Sequence, residues 1–258
     1  MIRKNEINEI CKITGLKPYQ QEKAYIQTII LRLIYSETRN VIYKGGTSLF
    51  MFDHLPRFSD DLDFNVNGNV NIFPIIRQIS KGLETLGIHH SYKVLSKNEV
   101  SNSFQFSLEG PLYTTPISRI MIKLDFSYRE LTILPTLTGT YNPIYSDLLP
   151  FDVIRMDPEE IINEKVRAIM TRNKARDVFD SYFLVKEDKL KFNKKIVTEK
   201  LGYYKLLFSM EEFESSIEKK REMWKPELQS IVLVSLPDFN DAKNLIMEQI
   251  KNEFGSTI

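Results

Sequence analysis

The run Asp61-Leu62-Asp63-Phe64-Asn65-Val66 alternates strictly between polar and apolar side chains. Along an extended chain, residues i and i+2 share a face. The run therefore predicts a strand with Leu62, Phe64 and Val66 in a core and Asp61, Asp63 and Asn65 on the opposite face. Two carboxylates then stand about 6–7 Å apart on one side of a sheet. Like charges so placed repel unless a cation or a donor lies between them. Two readings are open at this point: a solvated sheet face, or a seat for a hard cation such as magnesium, which takes a few carboxylates and keeps positions for water and phosphate oxygens. The run Ile122-Lys123-Leu124-Asp125-Phe126-Ser127 repeats the pattern, with Lys123, Asp125 and Ser127 on its polar face. If the two strands are neighbours, Asp125 joins Asp61 and Asp63.

Ahead of the first run, 41–44 predicts a short strand, and Gly45-Gly46-Thr47-Ser48 follows it. The glycines predict a turn, and Thr47 or Ser48 can cap a short helix running to Phe52, which Pro56 ends. Such an element is either an ordinary tight turn or a phosphate cradle. Glycine lets a backbone approach a phosphate, and a helix start offers free N–H groups. It is not a P-loop, because the G-x-x-x-x-G-K-[ST] order is missing.

Elsewhere, apolar periodicity predicts helices over 19–37 and 71–86 and strands over 90–95, 102–108, 117–127 and 151–156. From Asp157-Pro158-Glu159-Glu160, a cap, an N1 proline and two first-turn acids, the chain reads as helical. Helices are predicted over 158–172, 175–185, 193–203, 209–221 and 239–253. The fold class expected is α+β, with an α+β domain over 1–156 and an all-α domain over 157–258.

A net charge of +1 over 258 residues speaks against non-specific coating of nucleic acid, although a local basic groove remains compatible with it. The single cysteine, Cys11, allows neither an internal disulfide nor a cysteine-based zinc site. No apolar run approaches the roughly 20 residues of a membrane span, and residues 1–12 lack the apolar segment of a signal peptide. A cytoplasmic protein is expected, with no membrane partner.

On the helix expected at 158–172, Lys165 falls among Ile161, Ile162, Val166 and Ile169. A lysine there either snorkels or pairs with an acid, or faces a cleft where an anion meets it. Lys165, Arg167, Arg172, Lys174 and Arg176 form a run without acids, suited to phosphate or RNA backbone, although a solvated helix face is the commoner reading of such a run. Asp177 and Asp180 share a helix face, and Arg176 can pair with Asp180. Tyr203-Tyr204-Lys205, Lys219-Lys220-Arg221 and Trp224 read as core aromatics and a wet face rather than as a base-stacking surface.

Taken together, Lys44-Gly45-Gly46-Thr47-Ser48-Leu49, Arg57-x-Ser59-x-Asp61-Leu62-Asp63-Phe64, Lys123-Leu124-Asp125 and Glu164-Lys165-x-x-Ala168-x-x-x-Arg172-x-x-x-Arg176-Asp177-x-x-Asp180-x-Tyr182 resemble the AbiEii-type nucleotidyltransferases. These are the toxin half of type IV toxin–antitoxin and abortive-infection systems, within the polymerase-β superfamily. The likeness covers about residues 41–185. The connection from Thr47 to Asp61 is long for the superfamily at large and suits this branch.

The resemblance implies a polymerase-β-like first domain, a mixed sheet flanked by helices, which moves a nucleoside monophosphate from an NTP to an acceptor. Asp61, Asp63 and Asp125 would hold magnesium, or manganese in its place. Gly45, Gly46, Thr47 and Ser48 would hold phosphates with Lys165 beside them, and Arg57 and Ser59 would contact phosphate or order the loop before Asp61. Lys165 and Asp180 would belong to the active site, with Asp177 structural. It further implies an RNA acceptor, tRNA among the candidates, and a cognate antitoxin protein. The rivals are a non-catalytic nucleic-acid or protein-binding module on the same fold and a metal-dependent phosphohydrolase or nuclease, in which water replaces the acceptor hydroxyl.

Overall fold

The computed structural model of the protein describes residues 1–255. The chain divides into two compact units. The first comprises residues 1–52, 58–131 and 136–155; the second comprises 53–57, 132–135 and 156–258.

In the first unit, α1 (Lys4–Thr14) and α2 (Pro18–Glu37) precede β1 (Val41–Lys44), α3 (Gly45–Phe52), β2 (Leu62–Val66) and α4 (Ile72–Thr85). Then come β3 (His90–Lys97), β4 (Ser101–Leu108), a 3-10 turn (Pro116–Ser118), β5 (Ile120–Ser127), β6 (Leu137–Tyr141) and β7 (Phe151–Arg155). Among the described residues the strands form one seven-stranded mixed sheet in the order β3-β4-β5-β2-β1-β7-β6. The pairs β1/β7 and β2/β5 are parallel, and the others are antiparallel.

One face of this sheet builds the core. Leu62, Phe64, Phe104, Phe106, Ile122, Leu124 and Phe126 are all fully buried there, with Ile29 and Ile30 of α2 and Ile76 and Ile79 of α4. The alternation of β2 and β5 thus does its work: their apolar residues other than the exposed Met121 go inward, and the carboxylates are left on the other face. Asn71 caps α4 by accepting from the Phe73 amide.

The second unit contains α5 (Pro158–Thr171), α6 (Ala175–Lys186), α7 (Lys194–Gly202), α8 (Met210–Glu218), α9 (Arg221–Leu228) and α10 (Phe239–Phe254). Asp157 caps α5, its side chain accepting from the Glu159 amide at 2.8 Å. The two short segments join this unit by hydrogen bonds of their backbone groups, to backbone in one case and to a side chain in the other. Arg57 bridges to Val232, the Leu233 amide donates to the Pro56 carbonyl, and the Ile133 and Leu134 amides donate to the Glu160 carboxylate.

Several local expectations need correction. The α3 helix starts at Gly45 directly from β1, so Thr47 and Ser48 lie inside it and do not cap it. The strand expected from 117 starts at 120, because Pro116 sets a 3-10 turn. The helix expected over 209–221 ends at Glu218, and α9 is a separate helix. Three elements, α1, β6 and α9, lie outside the expectations.

Candidate active site

The polar face of the sheet in the first unit carries one continuous row. Lys44 of β1 is the register partner of Asp63 on β2. Asp63 is the partner of Asp125 on β5, and Asp125 is the partner of Ser103 on β4. Adjacent strands lie about 4.8 Å apart, so Asp63 and Asp125 are nearest neighbours, and Asp61 stands just before β2. The condition for Asp125 to join the other acids is thus met: the two strands are neighbours, with Asp63 and Asp125 in register.

Asp125 is already engaged. Its Oδ1 accepts from the Ser103 hydroxyl, and its Oδ2 lies 2.6 Å from the Lys123 ammonium. Partial burial works against the charge on Lys123, but the bond to Asp125 and the fields of Asp125, Asp61 and Asp63 outweigh it. Its pKa therefore rises above the ordinary lysine value, and the row carries a resident cation.

The start of α3 packs against these acids. Gly45 has a φ of +75°, and a Cβ there would come within 2.7 Å of Asp63 Oδ2. Glycine is required at this position both for its backbone and for the space. The Thr47 hydroxyl donates to the Asp61 carbonyl and so fixes the entry to β2. Ser48 is fully buried, and its hydroxyl has no hydrogen-bond partner. The segment before Asp61 is tied to α2: Gln27 Nε2 donates to the Ser59 and Asp60 carbonyls at 3.1 and 2.8 Å. Lys23 pairs with Asp60 at 2.8 Å.

The donor set suits a hard cation in chemistry and register: carboxylates of adjacent strands on one polar face. As the side chains stand, no group of three or more His, Cys, Asp or Glu among the described residues is close enough to hold an ion. Asp125 is turned onto Lys123 and Ser103.

The second unit gathers the other expected residues around two buried carboxylates. Arg57, 1% exposed, grips Asp180 with Nε on Oδ1 at 2.5 Å and Nη2 on Oδ2 at 2.7 Å. Lys165 donates to the same Asp180 Oδ2 and to Asp177 Oδ1 at 3.0 Å. Arg172 holds Asp177 with two bonds of 2.7 Å. Burial opposes ionisation of both acids. Arg57 and then Lys165 overcome it at Asp180, and Lys165 and Arg172 overcome it at Asp177, so both stay below the usual carboxylate range.

Lys165 thus meets its acids from within the helical unit. Arg176 lies nearer Glu227, at 3.9 Å, than the Asp180 pairing expected of it. Arg167 stacks over the Tyr204 ring at 4.7 Å. The basic run accordingly turns in several directions rather than forming one stripe. Trp224 is a core aromatic between Phe179 and Phe239.

The profile described as "Nucleotidyl transferase AbiEii toxin, Type IV TA system" matches residues 36–245. The chain belongs to the AbiEii nucleotidyltransferase toxin family. This AbiEii-family protein is therefore a nucleotidyltransferase of the toxin class. No curated protein matches it.

Solved structures share its fold. JHP933 from Helicobacter pylori aligns with a TM-score of 0.64 at 18% identity, over 93% of this chain and 94% of that one. A putative nucleotidyltransferase from H. pylori gives 0.62 at 18%, over 93% and 96%. The MenT4 nucleotidyltransferase toxin from Mycobacterium tuberculosis H37Rv gives 0.60 at 14%, over 96% and 88%.

Two features of this AbiEii-family protein escaped the sequence reading. Ser103 flanks the carboxylate row only through cross-strand register. Gln27 reaches the Ser59 segment across 32 residues. Among the described residues no helix is long and apolar enough to cross a membrane.

Proposed function

We propose that the protein transfers a nucleoside monophosphate from an NTP to an RNA acceptor, with tRNA the first candidate, in a divalent-metal-dependent reaction. The carrying observation is the in-register placement of Asp63 and Asp125 beside Asp61, with α3 starting against Asp63. Asp61 and Asp63 would hold magnesium or manganese, and Asp125 would complete the set. A bound divalent ion would neutralise phosphate charge and ease deprotonation of the attacking hydroxyl.

The residues of this chain do the positioning. The Gly45-Gly46 start of α3 gives phosphates a close backbone approach, while Thr47 holds the strand entry. Asp125, released from Lys123, can accept the proton of the acceptor hydroxyl. In the second unit, Asp180 orients Lys165, and Arg57 fixes Asp180. Lys165 would exchange one of its aspartates for a phosphate oxygen. We also place the protein in the cytoplasm, restrained by a cognate antitoxin protein.

The test is incubation of purified protein with each α-labelled NTP, magnesium and total bacterial RNA, beside Asp61→Ala and Asp63→Ala. Label entering an RNA band with wild type alone, and only with metal, is the expected result. Release of free nucleoside phosphates without labelled RNA would instead mean that water is the acceptor.

A further inference from the structure

We propose that a cleft at one end of the sheet in the first unit binds an unpaired nucleobase. The cleft has a volume of about 640 Å³, and Asn71, Phe73, Lys97, Asn98, Asn102 and Tyr128 are among its lining residues. Its least exposed lining residue is Asn102, only 8% exposed. The side-chain oxygen of Asn102 has no hydrogen-bond partner.

The neighbours decide which way this carboxamide faces. The Tyr128 hydroxyl has one proton and donates it to the Val70 carbonyl at 3.0 Å. Toward Asn102 it can then only accept, and Asn102 Nδ2 donates to it at 3.2 Å. The amide is locked, and its unpaired atom is an acceptor. A buried acceptor without a donor is unfavourable, so a ligand that supplies an N–H is favoured here.

Two further carboxamides, Asn71 and Asn98, have the opposite polarity. Asn71 Oδ1 accepts from the Phe73 amide at 3.1 Å. Asn98 Oδ1 accepts from the Val100 and Ser101 amides at 3.0 and 2.8 Å. Each therefore has its amide nitrogen left to offer. The Lys97 ammonium adds a further donor, 4.9 Å from the centre of the Phe73 ring.

The lining thus presents one buried acceptor, with donors and the exposed Glu99 carboxylate around it. Phosphate or carboxylate brings acceptors only and leaves Asn102 unpaired. An apolar ligand satisfies none of these groups. The edge of a nucleobase places N–H donors beside carbonyl or ring-nitrogen acceptors, and unpaired bases are read in this way.

The cleft borders the carboxylate row. Asn102 precedes Ser103, which bonds Asp125, and Tyr128 lies three residues beyond Asp125, about 10 Å along a strand. A single strand with one base in the cleft can reach the row. That role in holding the acceptor rests on the function proposed above; binding of the base does not.

The experiment titrates the full-length protein, without metal, with adenosine, guanosine, cytidine and uridine, observed by ligand NMR. Asn102→Leu, Asn102→Asp and Tyr128→Phe are run alongside, with thermal melts as the check on folding. At least one nucleoside should bind wild type. Asn102→Leu should weaken it roughly tenfold, the factor for one lost hydrogen bond. Tyr128→Phe, which frees the amide to turn, should weaken it less. Asn102→Asp keeps the acceptor and should retain binding.

The proposal is overturned if no nucleoside binds wild type, if Asn102→Leu binds as well as wild type, or if Asn102→Asp loses as much as a folded Asn102→Leu. Metal-dependent NTP binding, sensitive to Asp61→Ala, should be unchanged in Asn102→Leu. Nucleoside binding without transfer to RNA would sink the RNA-acceptor reading and leave the cleft standing.

Discussion

Gly45 and Asp63 are packed so closely that a single added methyl group would fall 2.7 Å from the Asp63 carboxylate oxygen. The contact arises because Lys44, the last residue of β1, is the register partner of Asp63. The helix that follows therefore starts against the acid. Gly45→Ala should suffer twice. A φ of +75° costs a side-chain-bearing residue about 1–2 kcal/mol, and Asp63 must move. At roughly 2–4 °C per kcal/mol for a chain of this class, the melting temperature should fall by several degrees. Nucleotidyl transfer should fall far more than the loss of folded protein explains. Wild-type activity in Gly45→Ala would falsify this account of the site.

Lys123 and a metal ion want the same carboxylates. Its ammonium sits 2.6 Å from Asp125 Oδ2 and in the fields of Asp61 and Asp63. Lys123→Met removes that competitor and should raise Mn2+ affinity by roughly tenfold, equivalent to about 1.4 kcal/mol. Titration calorimetry or Mn2+ spectroscopy on the nucleotide-free protein reads this directly. Unchanged or weaker metal binding in Lys123→Met would show that the lysine does not occupy the cation's place.

The division between what the sequence disclosed and what it concealed follows the range of the interactions. Asp61, Asp63 and Asp125 were legible because a strand exposes its faces at every second residue, and apolar Leu62, Phe64, Leu124 and Phe126 declare which face is inside. The same locality made α4 and α5 readable, through a clear apolar stripe and the Asp157-Pro158 start. Helix α1 hid behind a mixture of charges with only Ile7 and Ile10 buried. Helix α9 contains Pro226, which argues against a helix in isolation. Strand β6 is the short run Leu137–Tyr141 with a central glycine, formed by its pairing to β7. Arg57 reads from the sequence as a phosphate contact or as ordering the loop before Asp61, and its partner Asp180 lies 123 residues away. Alternation and periodicity are silent at that separation.

A second buried ion cluster shows the same long range. Lys200 is fully buried, 2.6 Å from Glu160 and 3.0 Å from Glu164. Glu160 in turn accepts the Ile133 and Leu134 amides. Lys200→Met leaves two buried carboxylates without their cation and should cost about 3–5 kcal/mol. Lys243→Met removes a lysine bridging the half-exposed Glu214 and Glu218 and should cost no more than about 1 kcal/mol. Denaturant unfolding of the pair gives the comparison. Equal losses would mean that burial does not govern these ion pairs.

Asp177 supplies a pH-dependent test of the cluster around Lys165. Against the cost of burial, Lys165 and Arg172 hold its folded pKa below the ordinary aspartate value, which is about 3.9. A group lowered on folding contributes stability that is fully present above its unfolded pKa. That contribution is lost as pH falls toward the folded value. Asp177→Asn lacks it at every pH and leaves Lys165 and Arg172 short of one charge. Wild type should therefore be more stable than the variant by an amount that stays level from about pH 7 to pH 5 and shrinks below about pH 4. Thermal melts of both proteins across that range measure the gap. A gap that closes already near neutral pH would place the titrating group elsewhere. One that persists undiminished to the acid limit of folding would mean that the variant's loss comes from packing and not from the charge of Asp177.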